Sequence, residues 1–168
     1  MRKIILNLAV SLDGFIEGPN GEFDWCFDDQ DYGLKEFFNS IDAIFMGRKS
    51  YELVKSMEDD LYENKKIYVF SHTLKEVALN EELIAEDFEI KVNQIKHSEG
   101  KDIWLFGGAS LISSFINLQL IDEFMLSVHP IILGGGKPLF TDVKDRTSLK
   151  LQEAKTYSSG LVQLFYTP

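Results

Sequence analysis

Three short stretches carry residue types suited to holding an anion: Gly47-Arg48-Lys49-Ser50, Ser71-His72-Thr73 and Gly107-Gly108-Ala109-Ser110. Each follows an apolar run that reads as a buried strand: DAIFM, KKIYVF and DIWLF. Glycines let a backbone approach a phosphate closely. A helix starting just after them offers free N–H groups at the positive end of its dipole. Arg48 adds a guanidinium that forks onto phosphate oxygens. Ligands of open α/β sheets collect outside the carboxyl ends of parallel strands. Two phosphate-suited helix entrances on one sheet edge, at Gly47 and at Gly107-Gly108, therefore imply a ligand with separated phosphates, and a dinucleotide fits. Taken singly, the same stretches also read as a tight turn, a solvated cation pair and ordinary loop residues. GGASLI departs from the G-x-G-x-x-G spacing and opens the fourth strand–helix unit rather than the first.

The elements that must position these residues follow from periodicity. Residues 3–10 (KIILNLAV) form a β-branched, apolar run typical of a strand buried on both faces. Residues 12–30, with Gly14, Gly18, Pro19 and Gly21, read as a long loop of functional character. Leu34, Phe37, Phe38 and Ile41 fall at helical spacing. Residues 42–46 and 65–73 read as strands, Phe88, Val92 and Ile95 as a helix, and 102–116 as strand, glycine turn and helix. Tyr51 to Val54 look like the start of another helix. The last third changes to strands joined by tight turns, with Ser159-Gly160 as a hairpin signal. The expected fold is a three-layer αβα arrangement: a mixed, mainly parallel sheet with an antiparallel C-terminal hairpin and helices on both faces.

A length of 168 residues favours a single domain spanning 1–168, and 45% apolar residues with 13 Phe supply a substantial core. The 17 Lys+Arg against 27 Asp+Glu, net charge −10, argue against nucleic acid and anionic membranes as partners. The single cysteine, Cys26, excludes an internal disulfide and a cysteine-built metal site. His97 and His129 stand at no ligand spacing with another His or Cys, so no metal is expected, and His129 reads as structural. MRKIILNLAV has no signal-peptide pattern and no apolar stretch reaches membrane-span length, which suits a cytoplasmic protein.

In order along the chain, LAVSLDGFI, FMGRKSYE, WLFGGASLI and VHPIILGGGKPLF resemble motifs of the dihydrofolate reductase-like superfamily. Within it the chain is most similar to the reductase domain of the riboflavin-pathway deaminase/reductase and its small stand-alone relatives. The resemblance covers nearly the whole chain. It implies eight mainly parallel strands with an antiparallel final strand, NADPH as hydride donor and a small heterocyclic substrate. It places Arg48 and Ser50, with Gly47 and Lys49, on the adenosine 2′-phosphate and pyrophosphate. It puts Ser71, His72 and Thr73 beside the adenosine, and Gly107, Gly108, Ala109, Ser110, Leu111 and Ile112 around the pyrophosphate. Backbone groups of Ala9 and Ile16 would meet the nicotinamide. An arginine at that rim selects NADPH, since an acidic residue would be expected for NADH.

Protonating a C=N substrate needs an acid, and the resemblance offers two. Asp31 heads the first helix, where it also suits an N-cap. Asp13, in SLDG, lies against cofactor and substrate by analogy, or serves as an Asx-turn. Trp25 and Phe27 would close over the nicotinamide, or else anchor the loop to the core, with Leu34 and Phe106 lining the substrate pocket. Two departures bear on the substrate. Residues 55–66 (KSMEDDLYENKK) are acidic where folate reductases bind a glutamate tail with arginine. Phe106 stands where the riboflavin reductases carry a glutamate. Lys35 or Lys137 could replace missing cations for a ribose-phosphate, and Gly134-Gly135-Gly136 could border the substrate. The preferred substrate is a flat, less charged pterin-like or aminopyrimidine ring. The expected function is an NADPH-dependent reductase, most like the 5-amino-6-(5-phosphoribosylamino)uracil reductase. A dihydrofolate or pterin reductase and a non-catalytic NADP-binding module are the alternatives. A homodimer is expected from the resemblance and from the apolar C-terminal edge.

Overall fold

The computed structural model describes residues 1–57, 62 and 64–168. Its centre is an eight-stranded sheet formed by β1 (Ile4–Ser11), β3 (Ile41–Gly47), β4 (Lys66–Phe70), β5 (Glu82–Ile84), β6 (Asp102–Gly107), β7 (Glu123–His129), β9 (Lys150–Thr156) and β10 (Val162–Thr167). The spatial order is β5-β4-β3-β6-β1-β7-β10-β9. All neighbours run parallel except β10, which is antiparallel to both β7 and β9. This is the expected mixed sheet of the dihydrofolate reductase-like type, with four helices among the described residues: α1 (Leu34–Ser40), α2 (Arg48–Ser56), α3 (Phe88–His97) and α4 (Ala109–Asn117). No helix among the described residues is long and apolar enough to cross a membrane.

Strand alternation divides the core in two. Ile4, Leu6 and Val10 of β1 pack with Ala43, Phe45, Ile103 and Leu105 under Val92 and Ile95 of α3 and Ile112 and Phe115 of α4. Ile5 turns to the opposite face, with Ile44, Met46, Trp104, Phe37 of α1, and Tyr51 and Val54 of α2. Phe45 and Phe115 are fully buried, each contributing on the order of 2–3 kcal/mol of transfer free energy. Strands covered on both faces carry apolar residues at nearly every position, which is why they are plain in the sequence.

Four local features differ from the sequence reading. Helix α1 stops at Ser40, and Ile41 turns extended and wholly buried to begin β3. Helix α2 starts at Arg48, so both cations sit on its first turn. Strand β5 is three residues long, parallel to β4, with little pattern of its own. The 12–30 segment contains β2 (Phe15–Glu17), paired antiparallel with β8 (Lys137–Pro138). At Gly136 φ is +128°, and a Cβ there would lie 2.0 Å from the Glu17 carbonyl oxygen, so glycine is required where β8 meets β2. The expected acidic stretch within 55–66 falls largely on residues 58–61 and 63, outside the described residues.

Candidate dinucleotide cleft

The carboxyl ends of β4, β3 and β6 lie side by side. Gly47 is in register with Phe70 on one side, and Met46 with Gly107 on the other. The two glycine turns nearly touch: a Cβ built on Gly47 would lie 3.6 Å from the Gly107 carbonyl oxygen and 3.7 Å from the Gly108 nitrogen. Gly107 has φ +108°, a conformation that favours glycine, and the Gly107–Gly108 peptide is cis. Above these turns opens a cleft of about 690 Å³, within the usual range for small-molecule sites.

Two helices enter the cleft by their N-termini. Helix α2 begins after Gly47 and α4 after Gly108. Neither has a side-chain cap, and neither carries an acidic residue in its first turn. Helices α1 and α3, by contrast, carry Glu36 and Glu89 there. The first N–H groups of α2 and α4 thus have no intramolecular side-chain acceptor, and the dipole ends are uncompensated. In α2 the first turn adds Arg48 and Lys49, positive charges at the positive end of the dipole, each opposing the helix by about 0.3–1 kcal/mol. Among the described residues Arg48 is offset by an exposed pair with Glu52 at 3.7 Å. An anion in the cleft would counter the dipole repulsion and accept from the free N–H groups.

The structure brings together most of the residues expected to bind phosphates. Gly47, Arg48, Lys49, Ser50, Ser71, His72, Gly108, Ala109, Ser110 and Leu111 line the cleft, and Gly107 forms its turn. Ser71 is fixed by its hydroxyl, which accepts the Thr73 and Leu74 amides at 3.2 and 3.0 Å. Thr73 is exposed and does not line the cleft. Ile112 is wholly buried and supports Gly107 from below, since a Cβ on that glycine would come 3.0 Å from Ile112 Cδ1. Ala9 and Ile16 are half-buried and do not border this cleft. The sequence reading did not name Glu17, Gly21, Phe23, Leu53, Phe70, Ile84, Ala85, Phe88 or Ser114 as lining residues, and it offered Lys137 for a substrate ribose-phosphate rather than for this cleft. Lys137 follows three glycines, which was the available signal.

The two acids have other partners. Asp31 Oδ2 accepts the Gly33 amide and Oδ1 the Lys35 amide, both at 3.1 Å, at the exposed head of α1. Asp13 accepts the Ser11 hydroxyl at 2.7 Å and the Leu133 and Gly134 amides at 3.1 and 2.8 Å. The Ser11 hydrogen bond holds the Asp13 carboxyl below its usual range, outweighing slight desolvation, and the Gly134 and Leu133 amides add to it. Asp13 thus ties the β1–β2 turn to the 131–136 loop.

Trp25 and Phe27 do not line the cleft. Their rings meet His129 edge-on, with centroids 5.3 and 5.0 Å away. The Phe27 amide donates to His129 Nε2 at 3.1 Å, so His129 Nδ1 carries the proton and donates to the Ser127 carbonyl at 2.9 Å. Burial pushes the His129 pKa down, so the imidazole stays neutral. Trp104 and Phe106, centroids 4.9 Å apart, join Phe37, Phe38 and Tyr62 in an aromatic wall on the α1 face of the sheet. Leu34 is about half exposed on α1.

Comparisons with known proteins agree with this architecture. The Bacillus subtilis (strain 168) proteins YyaP and YwjB, both described as uncharacterized, are 52% and 35% identical to this chain. Each match covers 98% of this chain, with 94% of YyaP and 97% of YwjB. The crystal structure of an inferred riboflavin biosynthesis protein from Shewanella sp. PV-4 superposes with TM-score 0.88 at 27% identity, covering 99% of this chain and 98% of that one. The Thermotoga maritima diaminohydroxyphosphoribosylaminopyrimidine deaminase/5-amino-6-(5-phosphoribosylamino)uracil reductase shares the fold, with TM-score 0.76 and 18% identity over 99% of this chain and 56% of that one. The sequence profile of the RibD C-terminal domain matches residues 2–163, and the chain belongs to that family.

Proposed function

We propose that the cleft binds NADPH and that the chain is a reductase of a small, flat, weakly charged heterocycle. The observation that carries this reading is the pair of uncapped, glycine-entered helices at adjacent strand ends, with Arg48 on the same rim. The residues present suit the cofactor. The open side of Gly108, where a Cβ would stand 3.6 Å from Ser50 Oγ, is a cradle for diphosphate oxygens. Arg48, with Lys49 and Ser50, would hold the 2′-phosphate, and Ser71 and His72 would border the adenosine over the apolar floor of Phe70, Ile84 and Phe88.

Bound there, the cofactor supplies a hydride, and the protein's part is orientation, water exclusion and a proton. The riboflavin-pathway reduction of a ribosylaminouracil is the family precedent for the substrate class. The aromatic wall of Trp104 and Phe106 favours a planar ring over a charged tail. Asp13, held ionised, suits positioning. Asp31 is the proposed acid, able to exchange protons with solvent at the head of α1.

The test is a panel of oxidised pterins and aminouracils mixed with protein and NADPH, followed by loss of NADPH absorbance. Turnover of at least one ring is expected, together with its loss in Asp31→Asn while cofactor binding persists. Tight NADPH binding with no ring reduced across the panel would instead identify a non-catalytic binding module.

A further inference from the structure

We propose that Lys137 is a diphosphate-binding residue of the cleft, and that Glu17 occupies it as an internal competitor until the dinucleotide arrives. This rests on the dinucleotide reading of the cleft and adds to it a residue outside all three strand-end motifs.

Lys137 reaches the glycine turn from the opposite wall. Its Nζ lies 4.0 Å from the point where a Gly108 Cβ would stand, and Ser50 Oγ lies 3.6 Å from that same point. An ammonium, a hydroxyl and the free N–H groups at the start of α4 therefore converge on the open side of Gly108. Convergent donors around a missing side chain are the arrangement that accepts a phosphate-sized group.

The partner now facing Lys137 is weakly held. Glu17 Oε1 and Oε2 lie 3.3 and 3.5 Å from Nζ, and both side chains are about one-third exposed. Committed pairs in this protein are shorter: 2.7 Å for Lys55–Glu81 and 2.8 Å for Lys96–Asp122. Charge-assisted N–H···O bonds normally run about 2.7–2.9 Å. The Lys137–Glu17 contact is thus a loose electrostatic pair that a more highly charged anion displaces. The backbone below it is not loose. Glu17 and Lys137 are register partners in the β2–β8 pair, Leu139 donates its amide to the Gly14 carbonyl at 2.9 Å, and Leu139 is buried. Lys137 is therefore aimed at the turn before any ligand binds, and only the side-chain partner changes.

Glu17 has a second consequence. It sits in the cleft wall and competes with the anion for the Lys137 ammonium, so removing the carboxylate and removing the ammonium change affinity in opposite directions. Its chain continues to Gly21 and Phe23, which also line the cleft, so displacement of the carboxylate takes place at the start of that wall.

The experiment is calorimetric titration of the full chain with NADP+ and with NAD+ at low ionic strength, for wild type, Lys137→Gln, Glu17→Gln and the double variant. Lys137→Gln is expected to weaken both nucleotides by roughly tenfold, because both carry the diphosphate. Glu17→Gln is expected to tighten both by about threefold, a gain that a folding defect cannot produce. The double variant should match Lys137→Gln alone, since the carboxylate acts through the ammonium. Unchanged affinity in Lys137→Gln, or weaker binding in Glu17→Gln, overturns the proposal while the cleft reading stands. Failure of the wild type to bind either nucleotide overturns both.

Discussion

Replacing Arg48 with glutamine separates the recognition of one phosphate from everything else the cleft does. Arg48 is nearly half exposed and among the described residues has one ion-pair partner, Glu52, one turn along the same helix at 3.7 Å. Such an i,i+4 surface pair is worth about 0.3–0.5 kcal/mol. Removing a cation from the first turn of α2 returns about 0.3–1 kcal/mol of helix-dipole repulsion. The two nearly cancel, so the variant should melt within a degree or two of wild type, roughly 2–4 °C being the shift per kcal/mol at this size. Binding is another matter. A hydrogen bond to a charged group contributes about 1.5–3 kcal/mol, and the lower end applies to a half-exposed guanidinium screened by solvent. NADPH affinity should therefore fall by about tenfold. NADH lacks the 2′-phosphate, and its affinity should stay the same. Arg48→Lys should recover part of the loss, keeping the charge but not the fork. The assay is titration of each reduced nucleotide by protein fluorescence, beside thermal melting of each variant. Parallel weakening of NADPH and NADH, or no change in NADPH, would refute the assignment of Arg48 to the distinguishing phosphate.

Two more outcomes follow from groups around the cleft. Burial lowers the pKa of His129 below its usual 6.5, so the unfolded chain takes up this proton first as pH falls. The stability tied to neutral His129 is then complete above about 6.5 and is lost as pH drops through its lowered folded value. Denaturant midpoints measured down that range should show this slope in wild type and a flatter one in His129→Phe, with equal slopes counting against the Phe27 tether. Gly136→Ala places a Cβ 2.0 Å from the Glu17 carbonyl at φ +128°, so the β2–β8 pair must open. It should cost about 2–3 kcal/mol, or roughly 5–10 °C in melting temperature. Gly134→Ala, with φ +71° and nothing within 4 Å, should cost about 1 kcal/mol. Similar melting temperatures for the two variants would contradict the close approach.

How much of this was legible depends on the range of the interactions involved. The three strand ends were readable because a parallel strand covered on both faces leaves a continuous apolar run, and at two of them, β3 and β6, a glycine marks the corner. The helices α3 and α4 showed their 3.6-residue period directly. By contrast, β5 has three residues, too few for any period, and its existence depends on lying beside β4. The β2–β8 pair joins Glu17 to Lys137 across 120 positions, and neither segment has the alternation of a strand. The same distance hides the partners of Asp13, whose acceptor role toward Leu133 and Gly134 could not be seen from SLDG alone. Trp25 and Phe27 were legible as aromatic anchors or as a lid; His129, about 100 positions away, holds them as anchors.

Charge distribution gives the cleft its direction. A chain with net charge −10 repels a polyanion at long range. At physiological salt, however, fields from exposed charges decay over about 8 Å, so a ligand at the rim responds to nearby groups. There Arg48, Lys49 and Lys137 face a single carboxylate, Glu17, across two uncapped helix ends. Cations on a positive dipole end oppose folding slightly, and the Lys137–Glu17 pair and the first N–H groups of α2 and α4 add little to stability. An anion in place would offset the repulsion and accept from the N–H groups. None of the four described helices has a side-chain cap at its N-cap residue, but only α2 and α4 also lack an acidic residue in the first turn. Bare glycines at both entrances leave the space between them open, which is what the proposed dinucleotide requires.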